Sequence, residues 1–412
     1  MTPPLSPARE RTVLWLLALT QFTVIMDYMV MMPLAPQLMR AFAIDPTAVS
    51  GVVSAYAWCA GLSGLLAATF IDRFDRKRMM LAMFFLFTLS NLACALSPNF
   101  ATLLLSRAFA GLTGGVMSAM IMAIIGDLIP VHRRGAATGI VMTSFSIAAI
   151  AGVPIGVTLA AHFGWQSPFY LLVVLSLLIW IAAARVLPSL TAHLARKAPL
   201  SEVLPNLIGL FRVPRHLGAF LLSGVNMMTA MLVIPFISPV LVENLGVQPV
   251  QITYVYLAGG VATLFSARRV GVLADRYGKH KVYRYIALFS VLPLLFMTHM
   301  PQLPLYGVIL FFPFFMMAIS GRNIPMQALM TTISDPARRG AFLSANSAVQ
   351  QLGSGLGALL GGVLLKTDGA GHITGYGVNG WLAAGLTLFT VMWVGQVHGA
   401  SPPDTAIARK AA

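Results

Sequence analysis

Polarity along this chain is laid out in long blocks. Apolar stretches alternate with short clusters of charge, Pro and Gly, and the runs 79–96 and 171–184 carry no charge at all. About 20 apolar residues in helical form cross a ~30 Å hydrocarbon core. On that measure the sequence predicts spans at 12–38, 48–71, 79–97, 101–127, 136–161, 167–187, 216–243, 250–272, 282–299, 304–332, 341–365 and 376–397. The breaks fall where charged residues, Pro and Gly gather. The polar start, 1–10, is short, so the first apolar block reads as a span and not as a cleaved signal peptide. The expected fold is therefore an all-α membrane protein of twelve transmembrane helices.

The blocks repeat. After span two comes Asp72-Arg73-Phe74-Asp75-Arg76-Lys77-Arg78, and after span eight Asp275-Arg276-Tyr277-Gly278-Lys279-His280-Lys281. After span four stand Asp127 and Arg133-Arg134-Gly135-Ala136, and after span ten Asp335 and Arg338-Arg339-Gly340-Ala341. The offsets, 275 − 72 = 203 and 335 − 127 = 208, are both close to half the chain. Two parallel six-helix bundles, 1–187 and 216–412, are expected, joined by a basic, Pro-rich linker at 188–215.

Composition sharpens this. Hydrophobic residues make up 58% of the chain and charged residues 9%, against about 25% charged in a soluble domain. The net charge of +15 would suit a nucleic-acid partner, but no basic patch with interleaved aromatics accompanies it, which argues against one. Of the 27 Lys and Arg, all but four fall on one side of the drawn spans or in the span ends next to it; Arg107 and Arg322 lie deep within spans, Arg40 and Lys366 on the far side. That asymmetry places both termini in the cytoplasm of a bacterial-type inner membrane. Cys59 and Cys94 sit in spans without metal-ligand spacing, and the eight His fall in loops or near span ends. With no Walker loop and no catalytic constellation, neither an enzyme nor a cofactor is expected, and energy must come from a gradient.

Gly271-x-Leu273-x-Asp275-Arg276-x-Gly278-Lys279-x-Lys281 resembles the signature loop of the major facilitator superfamily. The stretch 107–115, beginning Arg107-Ala108-Phe109, is similar to that family's fourth helix. Gly152-Val153-Pro154-Ile155-Gly156, followed by Phe163-Gly164-Trp165, resembles the fifth-helix motif of its twelve-helix drug:proton antiporter branch. The resemblance implies alternating access around a cavity lined by spans one, four, seven and ten. It also implies a gate latch of Asp72, Arg73, Arg134, Asp275, Arg276 and Arg339 against the starts of spans five and eleven, where a helix N-terminus favours an anion. Plain topology marking by charged loops is the alternative role for these residues.

Ionisable residues inside a span are functional candidates by default. At ~1.5 Å per residue, Asp27 lies roughly 24 Å beyond Arg11, Arg107 about 30 Å from Asp127, and Arg322 about 20 Å from Asp335. Asp27 with Arg107 is the expected proton-coupling pair, because burial and a nearby Arg pull a carboxyl's protonation in opposite senses; a permanent ion pair between two helices is the other reading. Tyr28, Met31, Asn226, Met227, Met231, Arg322 and Asn323 join them as candidate substrate contacts. The 23 Met crowd the cavity spans and suit varied apolar ligands. Copper importers of the superfamily that the chain resembles join such a Met pair to a His-x-x-x-Met pair on the next helix, and span eight has no His, so a copper site at Met227 and Met231 is disfavoured. The expected activity is proton-coupled efflux of a small lipophilic compound or drug, with import or exchange of a metabolite such as a sugar or organic anion as the alternative. Expected partners are the substrate, protons and the lipid bilayer, and a monomer suffices.

Overall fold

The computed structural model describes residues 6–130, 133–191, 205, 208–334 and 339–397. Helices fill nearly all of it: α1 (Pro7–Phe42), α2 (Pro46–Phe70), α3 (Arg76–Ala95) and α4 (Phe100–Leu128), then α5 (Arg134–Phe163), α6 (Ser167–Val186), α7 (Pro214–Glu243) and α8 (Ile252–Tyr277), and finally α9 (Lys279–Thr298), α10 (Leu305–Ile333), α11 (Arg339–Val363) and α12 (Tyr376–Trp393). Local chemistry sets many of the starts. Ser6, Asp45 and Asn99 each accept the backbone N–H three residues on, and Pro7 and Pro46 occupy first turns. Gly278, at φ 92°, breaks α8 from α9. A two-residue hairpin, Lys366–Thr367 with Ile373–Thr374, is the sole strand pairing among the described residues, pinned through its Ile373 backbone by Asn244.

Among the described residues, eleven helices are long and apolar enough to cross a membrane, so this is a multi-pass membrane protein. The remaining expected span, 341–365, forms α11 at 25 residues. It is long enough, but its Gly, Ser, Gln and Asn dilute its apolarity, and the reason is its position. Gly353, Gly357 and Gly361, four apart, lie where a Cβ would strike the α7 backbone at Gly224, Met228 and Leu232. Gly355 and Gly362, on another face, abut Trp58 and Ser50 of α2. One helix is thus pressed between two neighbours by two separate stripes of small residues.

Two helices break mid-way. α5 passes through a π turn at Ala148–Gly152 just before Pro154. Proline lacks an N–H and its ring clashes with the carbonyl four residues back, and the extra residue of a π turn relieves that clash. α7 breaks at a 3-10 turn, Ile234–Phe236, around Pro235. α8 outruns its expected end at 272 and continues to Tyr277, so Asp275 and Arg276 stand in its last turns and not in the following loop.

The first half of the chain meets the second mainly on the face away from the termini, here the distal face. Arg40 pairs with Glu243 at 2.9 Å. Ser238 donates to the Pro33 carbonyl (3.0 Å), Thr47 to that of Gly362 (2.9 Å) and Ser54 to that of Gly355 (2.8 Å). Thr158 and Thr253 bond at 3.1 Å, and Gly260 of α8 lies against the α5 backbone at Ala149. On the opposite, basic face the side-chain bonds among the described residues run within one half, as in Glu10–Arg133 (2.8 Å) and Arg76–Asp127 (2.9 Å).

Candidate functional site

Asp27 lies mid-way along α1 and is fully buried, at 0% exposure. Its Oδ1 pairs directly with Arg107 Nη1 of α4, itself fully buried, and Arg107 Nη2 also reaches the Asp27 carbonyl at 3.4 Å. α1 and α4 come this close because both turn the residue inward amid apolar neighbours, where two unpaired charges would be far more costly than one pair. Among the described residues Asp27 Oδ2 and Arg107 Nε have no hydrogen-bond partner, so the pair is incompletely satisfied there. The Arg107 guanidinium sits 4.5 Å above the Tyr56 ring of α2, a cation–π contact. Cys94 of α3 lies within its hydrogen-bonding reach.

Tyr28 is next in sequence and turns toward the other half. Its hydroxyl lies 2.6 Å from Ser354 of α11 and 3.6 Å from the Met231 sulfur of α7. Met31 packs instead among Val30, Leu34 and Phe169 in the core of the first half. Met227 packs against the second-half cluster that holds Phe220 and Phe342.

Arg322, Asn226 and Asn323 gather into one polar knot. Arg322 is fully buried and donates to Thr387 Oγ1 (3.0 Å), the Asn226 carbonyl (3.3 Å) and Thr229 Oγ1 (2.5 Å). Asn226 donates to Asn323 (2.6 Å) and accepts from Tyr283 (3.1 Å). The guanidinium therefore points at α7 and α12, inside the second half, and its partners among the described residues are hydroxyls and a carbonyl. Its Nε, like that of Arg107, has no hydrogen-bond partner among the described residues.

The gate candidates lie apart. Arg134 donates to the Ile129 and Gly126 carbonyls at the end of α4, while Arg73, Asp275 and Arg276 are exposed. The side chains of Asp72 and Arg339 lie outside the described residues, as do Asp335, Arg338 and most of the 188–215 linker. Gly152 and Gly156 serve a contact within the first half: a Cβ on Gly152 would meet Met26 and Phe22, and one on Gly156 would meet Val30. They press α5 onto α1 beside Asp27. Sequence reasoning missed Tyr56, Cys94, Ser354, Tyr283, Thr229 and Thr387, since a neutral side chain in an apolar span gives no signal.

A sequence repeated at half its length, helices that cross a membrane, and a paired acid and base buried between α1 and α4 together narrow the comparison to known proteins. The model of the Major Facilitator Superfamily matches residues 17–358 and 219–411. The chain belongs to the Major Facilitator Superfamily. This facilitator is 26% identical over 393 residues to the uncharacterized MFS-type transporter YfhI of Bacillus subtilis (strain 168), covering 92% of this chain and 91% of that one. It is 24% identical over 363 residues to a probable sugar efflux transporter of Helicobacter acinonychis (strain Sheeba), covering 86% and 87%. Its fold is that of a bacterial homolog of the human lysosomal transporter Spinster (TM-score 0.80, 14% identity, 97% and 100% covered) and of a D-xylose-proton symporter (0.77, 16%, 95% and 99%). The facilitator fold is all-helical, and the protein is a transporter of that family.

Proposed function

We propose that this facilitator exports a small molecule from the cytoplasm by alternating access, driven by protons through Asp27. The fully buried, incompletely satisfied Asp27–Arg107 pair carries the reading. Asp27 is the only acidic residue deep within a span, and a lone buried acid beside one base is placed to hold or release a proton as its surroundings change. By the positive-inside asymmetry the basic face is cytoplasmic. The halves, closed on the distal face, then stand at the inward end of the cycle. In the cycle, Asp27 gives up its proton as substrate enters from the cytoplasm, the halves rock, and a proton taken from outside expels the substrate.

Two substrate classes are open to this site. The buried Met231 beside Tyr28 supports a lipophilic compound or drug, and the relatives named probable sugar efflux transporters favour a sugar. The test is reconstitution into liposomes, with proton movement recorded on adding sugars, lipophilic cations and neutral compounds, wild type beside Asp27→Asn. Substrate-driven proton release in wild type, lost in the variant, is the expected result. Substrate flux without any proton signal in either protein would sink proton coupling and favour facilitated exchange.

A further inference from the structure

Between the buried ion pair and the seam of the two halves runs an unbroken line of contacts. Asp27 holds Arg107; Arg107 lies over the Tyr56 ring at 4.5 Å; the Tyr56 and Tyr28 rings touch at a 33° tilt with centroids 5.3 Å apart; and the Tyr28 hydroxyl bonds Ser354 at 2.6 Å, on a helix of the other half. We infer that Tyr56, Tyr28 and Ser354 relay the charge state of Asp27 to the contact between the halves, with Tyr56 as the positioning residue at the centre. This rests on the reading of Asp27 as the protonation site.

The physical case starts from Arg107. Its guanidinium has two attractors, the Asp27 carboxylate and the Tyr56 ring face. With Asp27 ionised, the carboxylate dominates. With Asp27 protonated that pull weakens, and the ring becomes the stronger remaining attractor in a low-dielectric setting. Tyr56 has little freedom to yield. A Cβ on Gly111 would overlap the Tyr56 backbone, and one on Gly114 would lie 2.8 Å from its hydroxyl, so α4 crowds this residue at both ends. A shift of Arg107 is therefore passed to the neighbouring ring, Tyr28, whose hydroxyl holds Ser354. Among the described residues, the titratable and charged groups facing Asp27 are Arg107 of α4, Tyr56 of α2, Tyr28 of α1 and Cys94 of α3, so Arg107 is the only charged receiver of a change at Asp27.

The test reads two things in the full chain in lipid nanodiscs across pH 5 to 8. Spectroscopic labels at the distal ends of α1 and α7 report the separation of the halves, and the infrared carboxyl band that disappears in Asp27→Asn reports the proton. Removing one hydrogen bond in Tyr28→Phe or Ser354→Ala is expected to move the ratio of distal-closed to distal-open molecules roughly fivefold toward open. More tellingly, both variants should keep the Asp27 titration but lose the pH-driven change in separation. Tyr56→Phe, which keeps the ring, should retain that change, and Tyr56→Leu should lose it. Should Tyr56→Leu fail to fold, the Tyr28 and Ser354 variants carry the test alone. A wild-type pH response in both Tyr28→Phe and Ser354→Ala overturns the relay while Asp27 coupling stands. A wild-type pH response in Asp27→Asn overturns the coupling itself.

Discussion

Gly111 and Gly115 of α4 sit where a Cβ would run into the α2 backbone, at Tyr56 and Ala60 respectively. Gly111→Ala must push α2 away, and overpacking of this kind costs about 1–3 kcal/mol. The expected outcome is a lower midpoint of thermal unfolding in detergent, with a further loss of transport because Tyr56 moves off Arg107. An unchanged midpoint would mean that the two helices have slack that the contact does not suggest. At this scale the sequence announces what is charged. Asp27, Arg107 and Arg322 stand out because each is a lone charge in an apolar run, and all three are fully buried. It is silent on direction. Arg322 turns toward Thr387 of α12 and Thr229 of α7, and nothing in its span foretells which neighbours it will face.

Among elements, the joint after α2 shows how a short loop is held. Asp75 caps α3 through the Lys77 N–H (3.0 Å) and also accepts the Ser189 hydroxyl (2.8 Å) and the Leu190 N–H (3.0 Å), so the chain leaving α6 is docked onto it. Burial on its own would push the Asp75 carboxyl up. The Leu190, Ser189 and Lys77 hydrogen bonds and the Arg78 charge outweigh it and hold the carboxyl below its usual range. Because the folded value is depressed, this tether is fully present above the unfolded carboxyl value, about pH 4, and is lost as pH falls through the folded one. Hydrogen exchange at the Leu190 amide, corrected for its intrinsic pH dependence, should stay slow at neutral pH and quicken at the acid end; Asp75→Ala should make it fast throughout. Equal protection in that variant would rule the tether out. Spans were legible here and their ends less so: α8 runs on through Asp275 because charges past the hydrocarbon do not stop a helix, whereas Gly278 does.

For the whole molecule, two pairs of charged loops at nearly equal offsets predict a duplication, whereas the closure of the distal face has no such signal. Three of its hydrogen bonds are Ser and Thr hydroxyls donating to backbone carbonyls of the other half, which leave no trace in a hydropathy pattern. The ion pair it has among the described residues, Arg40–Glu243, is partly exposed. An exposed pair is worth about 0.2–1 kcal/mol, enough to bias a balanced equilibrium a few-fold. Arg40→Glu should therefore raise the distal-open population, and the exchange Arg40→Glu with Glu243→Arg should restore it, as measured by distances between labels on the two halves. A swap that leaves the population where the single variant put it would show that the pair is incidental.

The two glycine stripes of α11 also bear on how the chain is made. A segment enters the bilayer from the insertion machinery on the strength of its own apolarity, and α11 has surrendered much of its own so that α7 and α2 can approach from two sides. It is thus a helix that needs its neighbours before it needs lipid. Cut out and placed alone in a host protein, it should insert poorly, and it should insert well once α7 precedes it. The closeness that lets the halves share this helix would then set the order in which the newborn chain settles into the membrane.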